Sequence, residues 1–577
     1  TISPPTADDT AGKNHPHRQI QRASRKCNEA FDFVTTIEIE SIFNVLLERA
    51  TGLEGRLEQD LLQPVYNVTA SKVCLKCSEM GLQDLSAAAL MNPSKNGFPS
   101  YCNMDEYGWE ATHSAIILHP VDEATGNILS GELRGVIVGH DTAINVNGGP
   151  TDLWPVSGLS SLVTNDSLMD DENLKLLESF VTALAGASAG AVVILPDYIG
   201  YGESKDFDRV FLQPLPYLQA GTVTYAAAKR YVAKISIECT HLVDVATLTG
   251  YGEGGYFAMV AALALQQNGV EILSVHAGAT PFDLDTQLVH SFGALESNNG
   301  TTVPTACESF RAYFGYSYSN EFSFMANTES NQYALSSEWM NVVDWFNNGS
   351  DTLSTSEILE RIPSDQKQMF NEALTILYDE AKFEGLSSPC RDESLVTEPA
   401  SLLCSAILDA SLWKILTTTT IPVSICHSPE DEVIGFENLP DPTTLPPNVR
   451  FYSNEIGALN PRGSHEEAMF LCALDHLVRV ADSNPEDAVT SPVYRKPLAQ
   501  IPDHCSPLAD ELDEPVSCSS LFERCHDTER VCCPGLVCED RMVDGGTVSV
   551  CVPGIKKDDS RSSLAFGGAG GADRGGM

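Results

Sequence analysis

From about His113 to Val480 the chain alternates short, almost continuous apolar runs with helical stretches. The runs Ser114–Leu118, Gly135–Val138, Ala191–Pro196, His241–Leu248, Ile272–His276, Ile421–Cys426 and Val449–Tyr452 are the candidate strands. Most carry no polar alternate, as expected of strands buried on both faces. Strands separated by helices predict an α/β fold, a mostly parallel, doubly wound sheet with helices on both faces. Between residues 285 and 417 the strand rhythm stops, and the aromatic-rich segments Phe310–Phe314, Trp339–Phe346 and Ile358–Phe383 predict a helical insertion. It reads equally as a cap or as a lateral subdomain with no part in substrate choice.

The flanks read differently. Residues 1–30 are polar, with Pro4, Pro5 and a basic cluster from His15 to Lys26, and predict a disordered leader. Residues 31–110 predict a helical, cysteine-containing extension, the helix lying over Ile37–Leu53 and the cysteines at Cys74, Cys77 and Cys102. With no matching second pair or His cluster nearby, these cysteines read as structural disulfides rather than redox or metal groups. The main domain spans 111–490, followed by a linker over 491–517, a cysteine-dense module over 518–553 and a Gly-rich, disordered tail over 554–577.

Charge removes one class of partner. Thirty-five Lys and Arg against 79 Asp and Glu give a net charge of −44, which repels phosphate backbones, so no nucleic acid is expected. Seventeen cysteines suit an oxidising compartment, and sequons at Asn67, Asn165, Asn299 and Asn348 agree with secretion and glycosylation. No run of about 18 apolar residues is present, so no transmembrane segment is predicted, and no signal peptide stands at the start of this sequence.

Chemistry concentrates at three places. Val245–Gln266 reads VATLTGYGEGGYFAMVAALALQ: a β-type run, a Gly-rich corner, then a long apolar helix. That is the shape of a nucleophile elbow, in which glycines permit a tight strand-to-helix turn and a central residue presents its side chain. Gly250, Gly254 and Gly255 occupy the supporting positions, but the central position is Gly252. Phosphate binding is the competing reading of such a turn. The dinucleotide spacing and P-loop lysine are missing, however, and Glu253 would repel an anion, so no cofactor or metal is expected. An acid and then a histidine follow in the chain order of a Ser-Asp-His triad: Asp431 on a loop after the Ile421–Cys426 run, and His465 just before a helix.

With these motifs the chain resembles the bacterial and fungal secretory-lipase-like α/β-hydrolases, whose elbow usually reads GYSxGG. ILPDYIGYGES (Ile194–Ser204), LPYLQAGTVTYAAAKRY (Leu215–Tyr231) and HAGATPFDL (His276–Leu284) are similar to family segments, and the resemblance covers about residues 110–480. It implies an α/β-hydrolase fold and a lipase or carboxylesterase ancestry, with Asp431 orienting His465 as base. It also implies an oxyanion hole of backbone amides from Glu253 and from the 139–142 loop, through His140 and Asp141. Glycine at 252 rules out a covalent acyl-enzyme there, and neither Thr249 nor Tyr251 offers a substitute.

Cys518, Cys525, Cys532, Cys533, Cys538 and Cys551 follow the spacing C-x6-C-x6-C-C-x4-C-x12-C, which resembles the inhibitor-cystine-knot (knottin) pattern. So small a module depends on bridges, and spacing alone leaves the pairing open. The resemblance implies first with fourth, second with fifth and third with sixth. An odd total of 17 leaves one cysteine free or paired between chains. Together these features predict a secreted hydrolase-type protein for ester, acyl or lipid substrates, its knottin free to bind an extracellular protein or glycan. The alternatives are a non-catalytic binding pseudoenzyme and a prolyl-oligopeptidase-like peptidase; the latter lacks preceding propeller-like repeats.

Overall fold

The computed structural model describes residues 27–49, 64–76, 79, 111–143, 147–154, 171–205, 207, 209–236, 240–297, 310–319 (except 312 and 316), 334–339, 361–362, 366–451, 464–473 (except 466, 467 and 470), 536–543 and 546–553. Nine strands form one sheet: β1 (Glu29–Val34), β2 (Asn67–Lys76), β3 (Thr112–Val121), β4 (Glu132–Gly139), β5 (Val192–Pro196), β6 (His241–Tyr251), β7 (Glu271–Gly278), β8 (Val423–Cys426) and β9 (Val449–Phe451). Their order is β1-β2-β3-β5-β4-β6-β7-β8-β9. The pairs from β5 to β9 are parallel, while β1, β2 and β3 join antiparallel at one side.

All seven predicted strands are present. The inner ones are buried on both faces because alternate residues feed two cores, whereas the edge strand β9 exposes Arg450. Ile117, Ile137, Ile194 and Leu248 point to one, with α4 (Pro214–Ile235), α5 (Glu253–Gln267) and α6 (Leu284–Ser297). Ile116, Val136, Val193 and Leu195 point to the other, with α1 (Thr36–Arg49) and α3 (Asp171–Ser188); the short α2 (Pro150–Leu153) precedes α3.

The 31–110 segment is not simply helical, and that expectation is corrected. Among its described residues α1 answers to it, while β1 and β2 extend the sheet and Cys27 is bridged to Cys74. Asn67, a candidate glycosylation site, opens β2 and its side-chain oxygen accepts the Thr36 N–H at 2.9 Å. Asn165, Asn299 and Asn348 lie outside the described residues, as do residues 1–26, 491–517 and 554–577.

Between β7 and β8 the described elements are helices and one bridge, Leu335 to Phe370. This stretch includes α6, α7 (Glu372–Glu384), α8 (Glu398–Ala410) and α9 (Trp413–Thr418), and a Cys390–Cys404 disulfide. Helix α7 is closed at both ends, by the Asn371 side chain accepting the Ala373 N–H and by left-handed Gly385 at φ +71°. By length and mean hydropathy alone Ala400–Thr418 could cross a membrane, but it carries Asp409 and Lys414, and its Leu403, Ile407, Leu412 and Leu416 are core residues, as in the helices of a packed domain.

Residues 504–577 form a second unit. Its described part is a hairpin, β10 (Leu536–Val543) and β11 (Gly546–Pro553), in which Cys538 stands directly opposite Cys551. Cys518, Cys525, Cys532 and Cys533 fall outside the described residues.

Candidate active site

Strand β6 ends at Tyr251 and α5 begins at Glu253, so Gly252 alone makes the corner. Its backbone sits at φ +55° and ψ −119°, outside the ordinary L-residue regions. It is pinned by its own N–H donating to Gly278 O at 2.9 Å. Close approach makes the turn possible: a Cβ on Gly250 would lie 2.3 Å from the Gly254 carbonyl carbon, a backbone atom that cannot give way.

Asp431 follows β8. Its Oδ1 accepts the N–H groups of Val433 and Ile434 at 2.9 and 2.8 Å, which fixes the carboxylate so that Oδ2 accepts from His465 Nδ1 at 2.8 Å. The histidine is held from several directions. Its N–H donates to Glu432 at 3.0 Å, its carbonyl accepts the Tyr251 hydroxyl at 2.8 Å, and its ring centroid lies 4.9 Å from that of Tyr251. A Cys426–Cys472 disulfide joins the end of β8 to the helical stretch that His465 enters. Behind the pair, His427 donates from Nε2 to Ile434 O at 2.9 Å and stands 3.9 Å from Asp431 Oδ2.

The other ring nitrogen of His465 faces a residue that the sequence reading credited only with a backbone amide. Asp141 Oδ2 is 3.8 Å from His465 Nε2, and Asp141 Oδ1 accepts the Glu253 N–H at 3.3 Å. A Cβ built on Gly252 would lie 2.1 Å from Asp141 Oδ1, so the Asp141 carboxylate stands where a side chain at 252 would begin. His140 turns aside: its Nδ1 donates to the Asp141 carbonyl at 2.8 Å and its ring stacks on Tyr198 at 4.0 Å between centroids. Burial pushes that imidazole down to about 4, so it is neutral.

Burial alone would lower His465 as well. The Asp431 charge and the bonds to Asp141 and Asp431 outweigh it and lift the imidazole to about 10. Burial opposes ionisation of Asp431, yet the His465 charge holds its carboxyl below the usual range. At neutral pH the site is therefore an imidazolium between two carboxylates, a proton donor rather than a base. Burial pushes the Glu253 carboxyl up to about 8, and the Tyr217 hydroxyl donates to it at 2.6 Å. Its backbone N–H, meanwhile, receives the Asp141 carboxylate.

The three sequence-predicted residues Gly252, Asp431 and His465 thus meet at one place, with Glu253 N–H and Asp141 beside them. Thr249 is buried on β6, and Tyr251 is spent on His465.

No protein-family model matches the chain, and no curated protein matches it in sequence. Solved structures do match in shape. A candidate hydrolase from Legionella pneumophila superposes with a TM-score of 0.51 at 15% identity, over 80% of this chain and 98% of that one. A mutant of the rice cell wall degrading esterase LipA from Xanthomonas oryzae superposes with a TM-score of 0.50 at 16% identity, over 80% and 97%. The chain has the α/β-hydrolase fold. At these identities the likeness establishes the fold alone. Glycine at 252 and the Asp141 carboxylate beside it are features of this chain itself.

Proposed function

We propose that this chain is a secreted hydrolase of esterase or lipase descent that attacks ester-like carbon–oxygen bonds without a serine acyl-enzyme. The observation that carries this reading is the His465–Asp431 pair, still oriented over an elbow whose backbone posture survives the loss of its side chain. Three disulfides among the described residues support an oxidising, extracellular setting. Residues 285–417 serve as a cap over the cleft, and the 518–553 module as a knottin that binds an extracellular protein or glycan.

The test uses p-nitrophenyl butyrate. Removal of triad members leaves roughly 10³ to 10⁴-fold catalysis over water in a serine hydrolase, so slow turnover is expected. Turnover should rise with pH toward about 10 as His465 loses its proton and becomes a base, and in His465→Ala both the rise with pH and the part of the rate that the base supplies should be lost. Gly252→Ser should raise it by about a hundredfold or more, because it supplies the missing nucleophile. A folded, inert Gly252→Ser protein, with wild-type turnover indifferent to His465→Ala, would overturn the reading. That outcome favours a second one, a non-catalytic binding protein in which Asp141 and Asp431 lock His465 as a cation; the Asp141 carboxylate in the nucleophile's space is the observation behind it.

A further inference from the structure

Four features converge on Asp141. Its carboxylate fills the space vacated at Gly252. One oxygen, Oδ1, accepts the Glu253 N–H at the start of α5, where the helix dipole favours negative charge. The other, Oδ2, faces His465 Nε2 at 3.8 Å. The far side of that imidazole is held by Asp431 at 2.8 Å. A carboxylate, unlike a serine hydroxyl, needs no base to become nucleophilic. Attack on a carbonyl carbon would give a reactive mixed anhydride. Attack on a saturated carbon gives an ordinary ester, and the carbonyl oxygen of that ester already lies at the Glu253 amide.

We propose that Asp141 is the nucleophile of this site, opening strained cyclic ethers such as epoxides at a saturated carbon. The proposal rests on the cleft being hydrolytic. In the first step Asp141 Oδ2 forms a bond to carbon as the ring C–O bond breaks, and the departing oxygen takes the Nε2 proton of His465. Esterification removes the Asp141 charge from the imidazole just as the ring loses its proton. A neutral base supported by Asp431 remains. In the second step Nε2 takes a proton from water as the water oxygen adds to Cγ of Asp141, and the charge that develops on Oδ1 is met by the Glu253 N–H. Collapse breaks the Cγ–Oδ2 bond. The released alkoxide takes the proton of the new Cγ hydroxyl, leaving a diol, the Asp141 carboxylate and the His465 cation as at the start. The net reaction is addition of one water. The water oxygen stays on Asp141 in the first turnover, while the original Oδ2 leaves in the diol.

The full chain is given styrene oxide in ¹⁸O-water for a single turnover. The expected result is ¹⁸O in the peptide carrying Asp141 and none in the diol, with Asp141→Asn lowering diol formation by about a hundredfold or more. A second probe, 1-iodobutane, has a leaving group that needs no proton. With His465→Ala it should leave a stable butyl ester on Asp141, seen by peptide mass spectrometry and absent when Asp141→Asn is added. Label appearing in the diol would mean direct attack by water and overturn the proposal. So would the absence of both diol and adduct in folded protein. If p-nitrophenyl butyrate turnover still depends on His465, only the role of Asp141 has failed. If that turnover is missing too, the hydrolytic reading falls with it.

Discussion

An L-residue held at φ +55° and ψ −119° costs about 1–3 kcal/mol, and only glycine escapes that cost. Gly252→Ser should therefore unfold in urea with a stability about 1–3 kcal/mol below wild type. Part of that loss should return when Asp141→Ala is added, because the new Cβ would otherwise press on Asp141 Oδ1. The two changes share one contact, so a double-mutant cycle should be non-additive; strict additivity would show that the carboxylate swings clear without cost. Much of this residue-scale picture was legible in the sequence. Asp431 and His465 stand on loops at the ends of successive strand runs, and their order along the chain is itself informative. In the sequence Asp141 stands out only for its peptide group. Its side chain reaches an amide 112 positions away, and no local pattern tells which way a loop carboxylate turns. The one available hint was an acid beside the oxyanion loop in a chain that had lost its nucleophile.

Elements that are buried on both faces announce themselves, and β3 to β8 were readable for that reason. β1 and β2 were not. β2 buries Ser71 and Lys72 among its apolar residues, with Lys72 Nζ 2.5 Å from Glu203 Oε1 and Ser71 Oγ 2.6 Å from the Tyr231 hydroxyl. Polar residues satisfied by distant partners hide a strand from a hydrophobic pattern. The element that sets His465 depends in turn on the Cys426–Cys472 bridge, whose partners are 46 positions apart. Replacing both with alanine should cost about 2–4 kcal/mol in thermal unfolding without reductant. It should also lower His465-dependent ester turnover more than the Cys390–Cys404 replacement does. Equal effects of the two replacements would detach the bridge from the site.

On the scale of the whole molecule, buried acids govern the response to pH. Burial pushes Asp285 up to about 6, Asp197 to about 7, and Glu178 and Glu253 to about 8, against ordinary values near 4. Each holds a proton in the fold that the unfolded chain has already released. Their contribution is complete below about pH 4 and is lost as pH rises through 6 to 8. His465 acts in the same direction between about 6.5 and 10, and self-repulsion of the −44 charge adds to the trend. Asp431, held low, works oppositely and only under strongly acidic conditions. The buried imidazoles of His113, His119 and His140, held down to about 4, act oppositely between about 4 and 6.5. The melting temperature should thus be highest near pH 6 and fall toward pH 9, and a flat profile by calorimetry would contradict these assignments. Asp431 and His465 also lie within a single covalent ring, since both sit between the sulfur-linked residues 426 and 472. A protease nicking the exposed Asp441–Thr444 turn inside that ring would leave two fragments still joined. Clipped molecules would run as one species until reductant released them.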